Sequence, residues 1–454
     1  MKKRKIDLTT GPIMKKLLVY VAPIVLSNLL QSLYNAADRM VVGRFAENGT
    51  AALAAVGATG SATTMLLCLF SGLSLGTNII CSNLRGARNM TDLRKTMGSA
   101  PLLALICGIS IMLVGVLACR PILVMMSAPT DILDQAVLYM RIYFLGAPAS
   151  ILYNFGSATL RSNGDTKRPM LILALSGLVN VALNLVLVIG FHLDVAGVAI
   201  ATIASQYLSA FQIWRIVFDP KDEYKLTFKE LKLHKRQVWT IIKVGVPCGL
   251  NGIVFSLSSM VMQSTVNTFG PVVIAGNVAS DSVTNLLYQV LAGFYMAVIS
   301  FTGQNYGARK LKRIDRGLGM ALMLGCGSVM VLGACTVIFH TPVLSLFDSD
   351  PDVIAAGSVK LTVLSYSNVL YGVSEILMGA LRGMKKTAVP TAINVGGVCL
   401  FRVVWILVFF PLNPTLNMLY ACFPISYAVS GAGMLIFYLI CRHNLLQETK
   451  TATA

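Results

Sequence analysis

The stretch Ser27-Asn-Leu-Leu-Gln-Ser-Leu-Tyr-Asn-Ala-Ala-Asp38 places a carboxylate inside a long apolar run. Leaving such a group charged and unpaired in hydrocarbon costs about 3 kcal/mol or more. Four of the polar residues in this stretch follow one another at spacings of four, three and four positions: Ser27, Gln31, Tyr34 and Asp38. These spacings put the four side chains on one face of a helix. We therefore predict a polar stripe on a membrane helix, and this stripe is the first candidate functional site.

The rest of the sequence has the composition of an integral membrane protein. Of its 454 residues, 56% are apolar and only 12% are charged, whereas a soluble domain carries roughly 25% charged residues. Apolar segments long enough to cross a bilayer, about 20 residues each, recur along the whole chain. Because open strands are unsatisfied in lipid and barrel-type alternation is absent, we predict that every span is a helix.

Twelve spans can be counted, and they fall into two similar halves. Gly86-Ala87-Arg88 recurs as Gly307-Ala308-Arg309, and Leu160-Arg161 recurs as Leu381-Arg382, each pair at an offset of 221 residues. Six spans is an even number, so the second half starts on the same side of the membrane as the first. The sequence predicts an all-α membrane protein with twelve transmembrane helices in two parallel six-helix repeats.

The domain boundaries follow from this repeat. We expect an amino-terminal bundle at 1–218, a basic linker at 219–239 and a carboxy-terminal bundle at 240–454. Paired repeats that enclose a cavity are typical of alternating-access carriers.

The net charge of +18 is explained by membrane topology. With a cytoplasmic amino terminus, 31 of the 37 Lys and Arg residues fall in inward-facing segments, as the positive-inside rule requires. A nucleic-acid surface would instead be continuous and basic. We therefore predict a multi-pass protein of a bacterial-type inner membrane with both termini cytoplasmic, and no nucleic-acid partner.

Enzyme motifs and metal sites are not indicated. The sequence holds no Walker loop, GxSxG elbow or HExxH motif, so ATP hydrolysis and metalloprotease chemistry lack support. The ten Cys residues form no CxxC pair, and the four His residues lie at span ends or in loops. We expect no cofactor and no metal site, which favours a secondary carrier.

Further polar residues lie within the predicted spans. In the first half, four are expected to face the Asp38 stripe and to form a hydrated relay: Asn154, Asn180, Asn184 and Thr202. Interhelical packing is the alternative role for each of them. In the second half the secondary candidates are Asp281, Glu375 and Arg402, where Arg402 either neutralises one of the two carboxylates or binds substrate. Arg141 and Lys360 are expected to reach the membrane interface with their long side chains.

The chain resembles the multidrug and toxic compound extrusion (MATE) family. The resemblance rests on the loop motifs above, on Ala22-Pro23, and on Tyr34-Asn35-Ala36-Ala37-Asp38 followed by Val41-Val42-Gly43. It is greatest for the DinF branch, which implies that Asp38 titrates within a hydrogen-bond network. The residues matching that network are Gln31, Tyr34, Asn154, Asn180 and Thr202, with Asn35 and Asn184 beside them. Asn184 stands where the branch often has a second aspartate, and the acidic positions of the NorM branch correspond here to Phe255 and Tyr371.

These observations predict an antiporter that exports amphipathic, often cationic organic compounds in exchange for protons. The expected partners are small organic molecules and the lipid bilayer, and a monomer is expected. Three alternatives stay open: a Na⁺-coupled antiporter, a lipid-linked precursor flippase of a related superfamily, and a membrane-embedded enzyme. A flippase should line its cavity with cations that hold pyrophosphate, whereas only Arg402 and Arg141 are available here.

Overall fold

The computed structural model describes residues 5–45, 49–125, 132–220 and 226–451, and its regular structure is helical throughout. The helices of the first half are α1 (Ile13–Phe45), α2 (Gly49–Gly86), α3 (Met90–Met125), α4 (Leu133–Leu145), α5 (Ala147–Ser162), α6 (Lys167–Leu185) and α7 (Asp194–Val217). Those of the second half are α8 (Lys235–Asn267), α9 (Pro271–Gly307), α10 (Leu311–Ile338), α11 (His340–Leu344), α12 (Pro351–Gly383), α13 (Ala388–Asn394), α14 (Phe401–Val404) and α15 (Leu416–Thr451).

Several helices are extended or joined by tighter or wider turns. A π-helical segment, Val186–Gly190, continues α6, and two more, Val395–Leu400 and Trp405–Phe409, flank α14. A 3-10 turn, Phe228–Glu230, lies between α7 and α8. Within the described ranges, eleven helices are long and apolar enough to span a membrane, and the bent pair α4–α5 supplies a twelfth span. The prediction of an all-α protein with twelve spans is confirmed.

The bend between α4 and α5 has a local cause. The two helices meet at Gly146 with an angle of 43°, and Pro148 lies in the first turn of α5. Proline is tolerated there because the first-turn N–H groups have no partner within the helix. A Cβ atom on Gly146 would overlap the Gln206 side chain, so the glycine allows α7 to approach the bend.

By compactness the chain divides into two units. The first contains residues 1–7 and 26–252, and the second contains residues 8–25 and 253–454. Helices α1 and α8 are each shared between the units, and each contains an internal proline shortly before the division, Pro23 and Pro247. A proline removes one helical hydrogen bond and weakens the helix locally. The lobes expected at 1–218 and 240–454 stay a prediction.

The first unit owes its tight packing to small residues where helices cross. A Cβ atom on Gly72 of α2 would overlap the backbone of Gly249 in α8. Helices approach this closely only where side chains are small, a common arrangement in membrane proteins. Large buried aromatic residues, among them Phe144 and Phe155, fill the space between the other helices of this unit.

In the second unit, α12 packs against α9, α10 and α15. A Cβ atom on Gly276 of α9 would lie 2.6 Å from the backbone nitrogen of Gly357 in α12. The Ser280 hydroxyl donates to the Gly357 carbonyl at 2.6 Å. The two glycines therefore bring the helices close enough for a direct hydrogen bond between them.

The same unit holds the segment that precedes α1. Leu8 is buried, and its N–H donates to Gln304 Oε1 at 3.1 Å. The Arg313 guanidinium donates to the carbonyls of Leu8, Thr10 and Gly11 at 3.1, 2.7 and 2.9 Å. One arginine thus binds three carbonyls of the short segment that precedes α1.

Candidate functional site

A polar cavity of about 260 Å³ lies inside the first unit, and three residues of the predicted stripe, Gln31, Tyr34 and Asp38, form one of its walls. Ser27, the fourth residue of the stripe, is buried and is not among the residues that line it. The sequence-predicted residues that line it come from α1, α5, α6 and α7: Gln31, Tyr34, Asn35, Asp38, Asn154, Asn180 and Thr202. Asn184 is not among the residues that line the cavity, but its side chain is hydrogen-bonded to Asp38. The structure therefore brings these eight residues together.

A chain of hydrogen bonds leads away from the Asp38 carboxylate. The Asn184 amide donates to Asp38 Oδ1 at 2.5 Å and also to Asn180 Oδ1 at 3.4 Å. The Asn180 amide donates to the Thr202 hydroxyl at 3.4 Å, and that hydroxyl donates to the Val198 carbonyl at 2.9 Å. Because Asn180 and Asn184 are one turn apart on α6, both side chains lie on the same face of that helix, and Asn184 is the one that contacts the carboxylate.

Asp38 is half-buried and has no ion-pair partner within 4 Å among the residues that the structure describes. Arg39 follows it in the chain, but its side chain is exposed. Neighbours on the helix, unlike residues three or four apart, do not face each other. The carboxylate is therefore held by the Asn184 amide instead of a cation.

Tyr34 is fixed at the cavity wall by α6. Its hydroxyl donates to the Ala174 carbonyl at 3.0 Å, and a Cβ atom on Gly177 would overlap its ring. Glycine at position 177 is what lets the ring pack directly on the α6 backbone. Nothing in the sequence pattern predicted this contact, because Gly177 is one of several glycines in apolar spans.

Other cavity residues were not among the predicted candidates. They are mostly hydroxyl-bearing: Tyr143, Ser150, Tyr153, Ser176, Ser205 and Ser209. The Tyr153 hydroxyl donates to the Pro169 carbonyl at 3.1 Å. The Ser176 hydroxyl and Gln206 Oε1 are buried without a hydrogen-bond partner. Two of these residues could have been found from their helical spacing to predicted candidates. Ser176 is one turn from Asn180, and Ser150 is one turn from Asn154.

In the second unit, Asp281 is paired with Lys360. The lysine ammonium donates to the Asp281 carboxylate and to Asn277 Oδ1, the latter at 2.6 Å. Lys360 is only 6% exposed, so the prediction that it reaches the interface is wrong. A buried ammonium needs a counter-charge, and Asp281 supplies it from a neighbouring helix.

Arg402 pairs with neither Asp281 nor Glu375 by a direct ion pair among the described residues. Its guanidinium carbon lies 4.3 Å from the centre of the Phe423 ring and 4.8 Å from that of Tyr427, and its Nε donates to the Ser426 hydroxyl at 3.2 Å. Such cation–π contacts stabilise a desolvated arginine by about 2 kcal/mol. Arg402 therefore belongs to a buried aromatic cluster.

Glu375 lies one helical turn after Tyr371 on α12 and is half-buried. The Glu375 carboxylate interacts electrostatically with the positive charge of Arg382, and its side chain is hydrogen-bonded to that of Tyr371. Within the described residues, no group of three or more His, Cys, Asp or Glu could hold a metal ion. Of the second-half candidates, Asp281 is thus ion-paired and Glu375 is half-buried, and neither lines the cavity around Asp38.

Comparison with known families gives a match in each half of the chain. The model of the MatE family matches residues 23–186 and 247–408. The two matched segments start 224 residues apart, which agrees with the internal repeat seen in the sequence. Together they cover most of the chain.

Among its relatives, the chain is 27% identical over 388 residues to "Probable multidrug resistance protein YoeA" of Bacillus subtilis, a match that covers 83% of this chain and 82% of that protein. It is 24% identical over 444 residues to "Multidrug export protein MepA" of Staphylococcus aureus, with coverage of 97% and 96%. A protein named "FAD transporter" from Shewanella oneidensis is 24% identical over 400 residues, with coverage of 85% and 86%.

A solved structure with a similar fold is described as the outward-facing conformation of a multidrug resistance MATE family transporter. It superposes with a TM-score of 0.90 at 22% identity and covers 98% of this chain and 100% of its own. At this level of identity the likeness concerns the fold alone.

Proposed function

Because the chain belongs to the MatE family, we propose that it is a secondary active antiporter that exports small organic compounds in exchange for protons by alternating access. The proposed substrates are amphipathic and often cationic, in line with the multidrug names of the relatives YoeA and MepA. Asp38 is the proposed coupling residue. The protein would work as a monomer in a bacterial-type inner membrane, with both termini cytoplasmic and no resident cofactor.

The observation that carries this proposal is the position of Asp38. It is a carboxylate on the wall of an internal polar cavity, held by an amide at 2.5 Å and with no cation paired to it in the described part of the chain. Intramembrane carboxylates in such positions are typical of proton relays in transporters. An organic cation and a proton would therefore compete for the same negative charge.

Asn184 suits both protonation states of Asp38. Its NH₂ group donates to the carboxylate, while its own Oδ1 is buried without a hydrogen-bond partner. A protonated carboxyl gains an O–H donor, and the Asn184 oxygen can accept from it once the amide has turned over about its χ2 bond. The amide therefore offers a partner before and after proton uptake, whereas a second aspartate would add a like charge.

The cavity is large enough for a proton relay but small for a whole substrate molecule. Its volume is about 260 Å³, below the roughly 300–1,000 Å³ of pockets for drug-sized ligands. In the proposed cycle, this conformation is the one in which Asp38 exchanges a proton through the polar cavity. Substrate would bind the other conformation, which a ligand selects through its differential affinity.

Sodium coupling is the second candidate. The cavity is lined by amide, hydroxyl and carboxylate oxygens, which are ligands that suit hard cations. With Asn at position 184, only one carboxylate faces this space among the lining residues, so a proton is the better match. A flippase is less favoured because the described residues that line the cavity include no Lys or Arg.

The test is transport in everted membrane vesicles under an imposed pH gradient, with ethidium as the substrate. An acidic lumen should drive ethidium into vesicles that contain the wild-type protein, with or without sodium. Asp38→Asn should lower this uptake at least about tenfold, in keeping with the loss of a group that participates directly in proton transfer.

A matched control is Asp134→Asn. Asp134 lies in the same unit, is exposed, and forms a surface pair with Arg120 at 3.5 Å, and such pairs contribute little to stability. It should transport like the wild type. Full uptake by Asp38→Asn would refute the assignment, and uptake that requires sodium at every pH gradient would favour the sodium-coupled alternative.

A further inference from the structure

A second, larger cavity lies on the side of the first unit, at the ends of α3 and α7. Its volume is about 1160 Å³, and most of its lining is apolar: Leu102, Leu105, Leu152, Phe211, Trp214 and Phe228. It follows α7 from Tyr207 to Phe218. At 1.5 Å per residue this is about 16 Å, so the cavity is an elongated groove along the helix. We call it the apolar groove.

A basic pocket of about 380 Å³ lies beside this groove. Four cationic side chains line it: Arg94, Lys95, Lys229 and Lys232. His234 and Thr91 complete the wall, and among the described residues that line it the one carboxylate belongs to Glu230, 3.7 Å from Arg94. The nearby Asp92 is held by Asn89 and Gln237. The pocket therefore keeps a clear excess of positive charge.

The residues between α7 and α8 separate the two cavities. Phe228 and Leu231 line the apolar groove, while Lys229, Glu230 and Lys232 line the basic pocket. One short segment thus presents apolar side chains to one space and charged side chains to the other. An amphipathic ligand that lay across this segment would meet both environments at once.

The segment is fixed against α3 before any ligand binds. A Cβ atom on Gly98 would overlap the Glu230 carbonyl, which shows how closely the two backbones approach. The Ser99 hydroxyl donates to the Lys232 carbonyl at 2.9 Å and accepts from the His234 N–H at 3.1 Å. Because this segment is already ordered, little free energy is lost in ordering it when a ligand binds, and this favours binding.

Large aromatic side chains remain uncovered at the groove. Phe228 is 76% exposed although it stacks on Phe218, with ring centres 4.6 Å apart. Phe211, on α7, is 66% exposed. Contiguous exposed apolar surface marks a binding site, and aromatic residues concentrate at the boundary between lipid and water.

We propose that these two cavities together bind one anionic phospholipid. The phosphate headgroup would lie in the basic pocket between Arg94, Lys95, Lys229 and Lys232, and the acyl chains would lie in the apolar groove. Basic pockets at the ends of membrane helices are suited to anionic headgroups. The bilayer is the neighbour that this surface meets, because the groove runs along two predicted spans, α3 and α7. The site is separate from the Asp38 cavity and does not depend on the proposed transport activity.

Trp214 supplies a direct probe because it lines the groove. The chain has three tryptophans, so the Trp239→Phe, Trp405→Phe variant leaves Trp214 as the only one. The full-length variant is reconstituted with phosphatidylglycerol or phosphatidylcholine brominated on the acyl chains, and quenching of Trp214 fluorescence is measured as each brominated lipid is titrated in. Phosphatidylglycerol should quench at lower mole fraction than phosphatidylcholine.

The charge requirement is tested by Lys229→Gln together with Lys232→Gln. This change should lower the apparent affinity for phosphatidylglycerol at least about tenfold and leave quenching by phosphatidylcholine unchanged. The matched control is Lys312→Gln together with Arg316→Gln, which removes the same charge from the start of α10, outside the pocket. The control should keep the wild-type preference.

Ionic strength gives an independent measurement that needs no change to the pocket. At roughly 1 M salt the Debye length falls to about 3 Å, and the preference for phosphatidylglycerol should decline. Equal quenching by the two lipids at low salt would overturn the proposal. So would a preference that survives the loss of both lysines, or one that high salt leaves untouched.

Discussion

The ion pair between Asp281 and Lys360 gives the sharpest stability prediction. Asp281→Asn removes the counter-charge of Lys360. The lysine is only 6% exposed, and its ammonium would keep Asn277 Oδ1, at 2.6 Å, as a neutral partner. A buried charge whose partner is removed costs about 3–5 kcal/mol. Since the Asp281 side chain is itself 52% exposed, we expect the lower end, about 3 kcal/mol.

A second substitution in the same pair distinguishes charge from packing. Lys360→Met in the Asp281→Asn background removes the uncompensated ammonium and keeps a long apolar side chain of similar reach. Replacing both members of a buried pair is often neutral. The double variant should therefore recover most of the stability that Asp281→Asn loses, which a simple loss of contacts would not produce.

The assay is thermal unfolding of the purified protein in detergent, followed by tryptophan fluorescence, for the wild type, both single variants and the double variant. The expected order is wild type, then double variant, then Asp281→Asn. Ethidium transport, measured well below the unfolding temperature, should persist in Asp281→Asn. A variant that is as stable as the wild type but inactive in transport would refute the structural role and make Asp281 a functional carboxylate.

Three further substitutions test other parts of the structure. Gly177→Ala should lower ethidium transport at least about tenfold, because its methyl group displaces the Tyr34 ring from the cavity wall; unchanged transport would argue against that ring's role. Gly72→Ala should destabilise the fold by about 1–3 kcal/mol, since the added methyl group meets the Gly249 backbone, and a neutral melting curve would show that α2 and α8 separate easily. Arg313→Gln should expose residues 8–11 to limited proteolysis, because the Thr10 and Gly11 carbonyls lose this donor and the Leu8 carbonyl keeps the Asn305 amide but loses the guanidinium; resistance equal to the wild type would contradict this.

Much of the fold could be predicted from hydropathy and charge. The number of spans follows from apolar length, and the two halves follow from the repeat. The division of α1 and α8 between the compact units could not be predicted, because it depends on which neighbours each part of the helix contacts. Pro23 indicated a weak point in α1, but a proline in a helix does not show which compact unit each part of that helix packs against.

The candidate site was predictable where polar residues interrupt an apolar helix at helical spacing. Gln31, Tyr34 and Asp38 on α1 and the Asn180–Asn184 pair on α6 are of this kind. Tyr143 and Tyr153 were missed because a tyrosine in an apolar span is as typical of packing as of a site.

The pairing of Lys360 was missed for a different reason. Its partner Asp281 lies 79 positions away in the chain, and a long-range contact between two helices leaves no local pattern. The same holds for Arg402, whose aromatic neighbours Phe423 and Tyr427 lie on another helix.

Proton release upon substrate binding tests the central claim most directly. If ethidium and a proton compete for Asp38, then adding ethidium to the purified protein in weakly buffered detergent solution should release protons, since the coupling of two ligands is reciprocal. The wild type and Asp134→Asn should both release protons over the pH range in which the carboxyl is partly protonated, and Asp38→Asn should release none. Equal proton release by Asp38→Asn and the wild type would contradict the account.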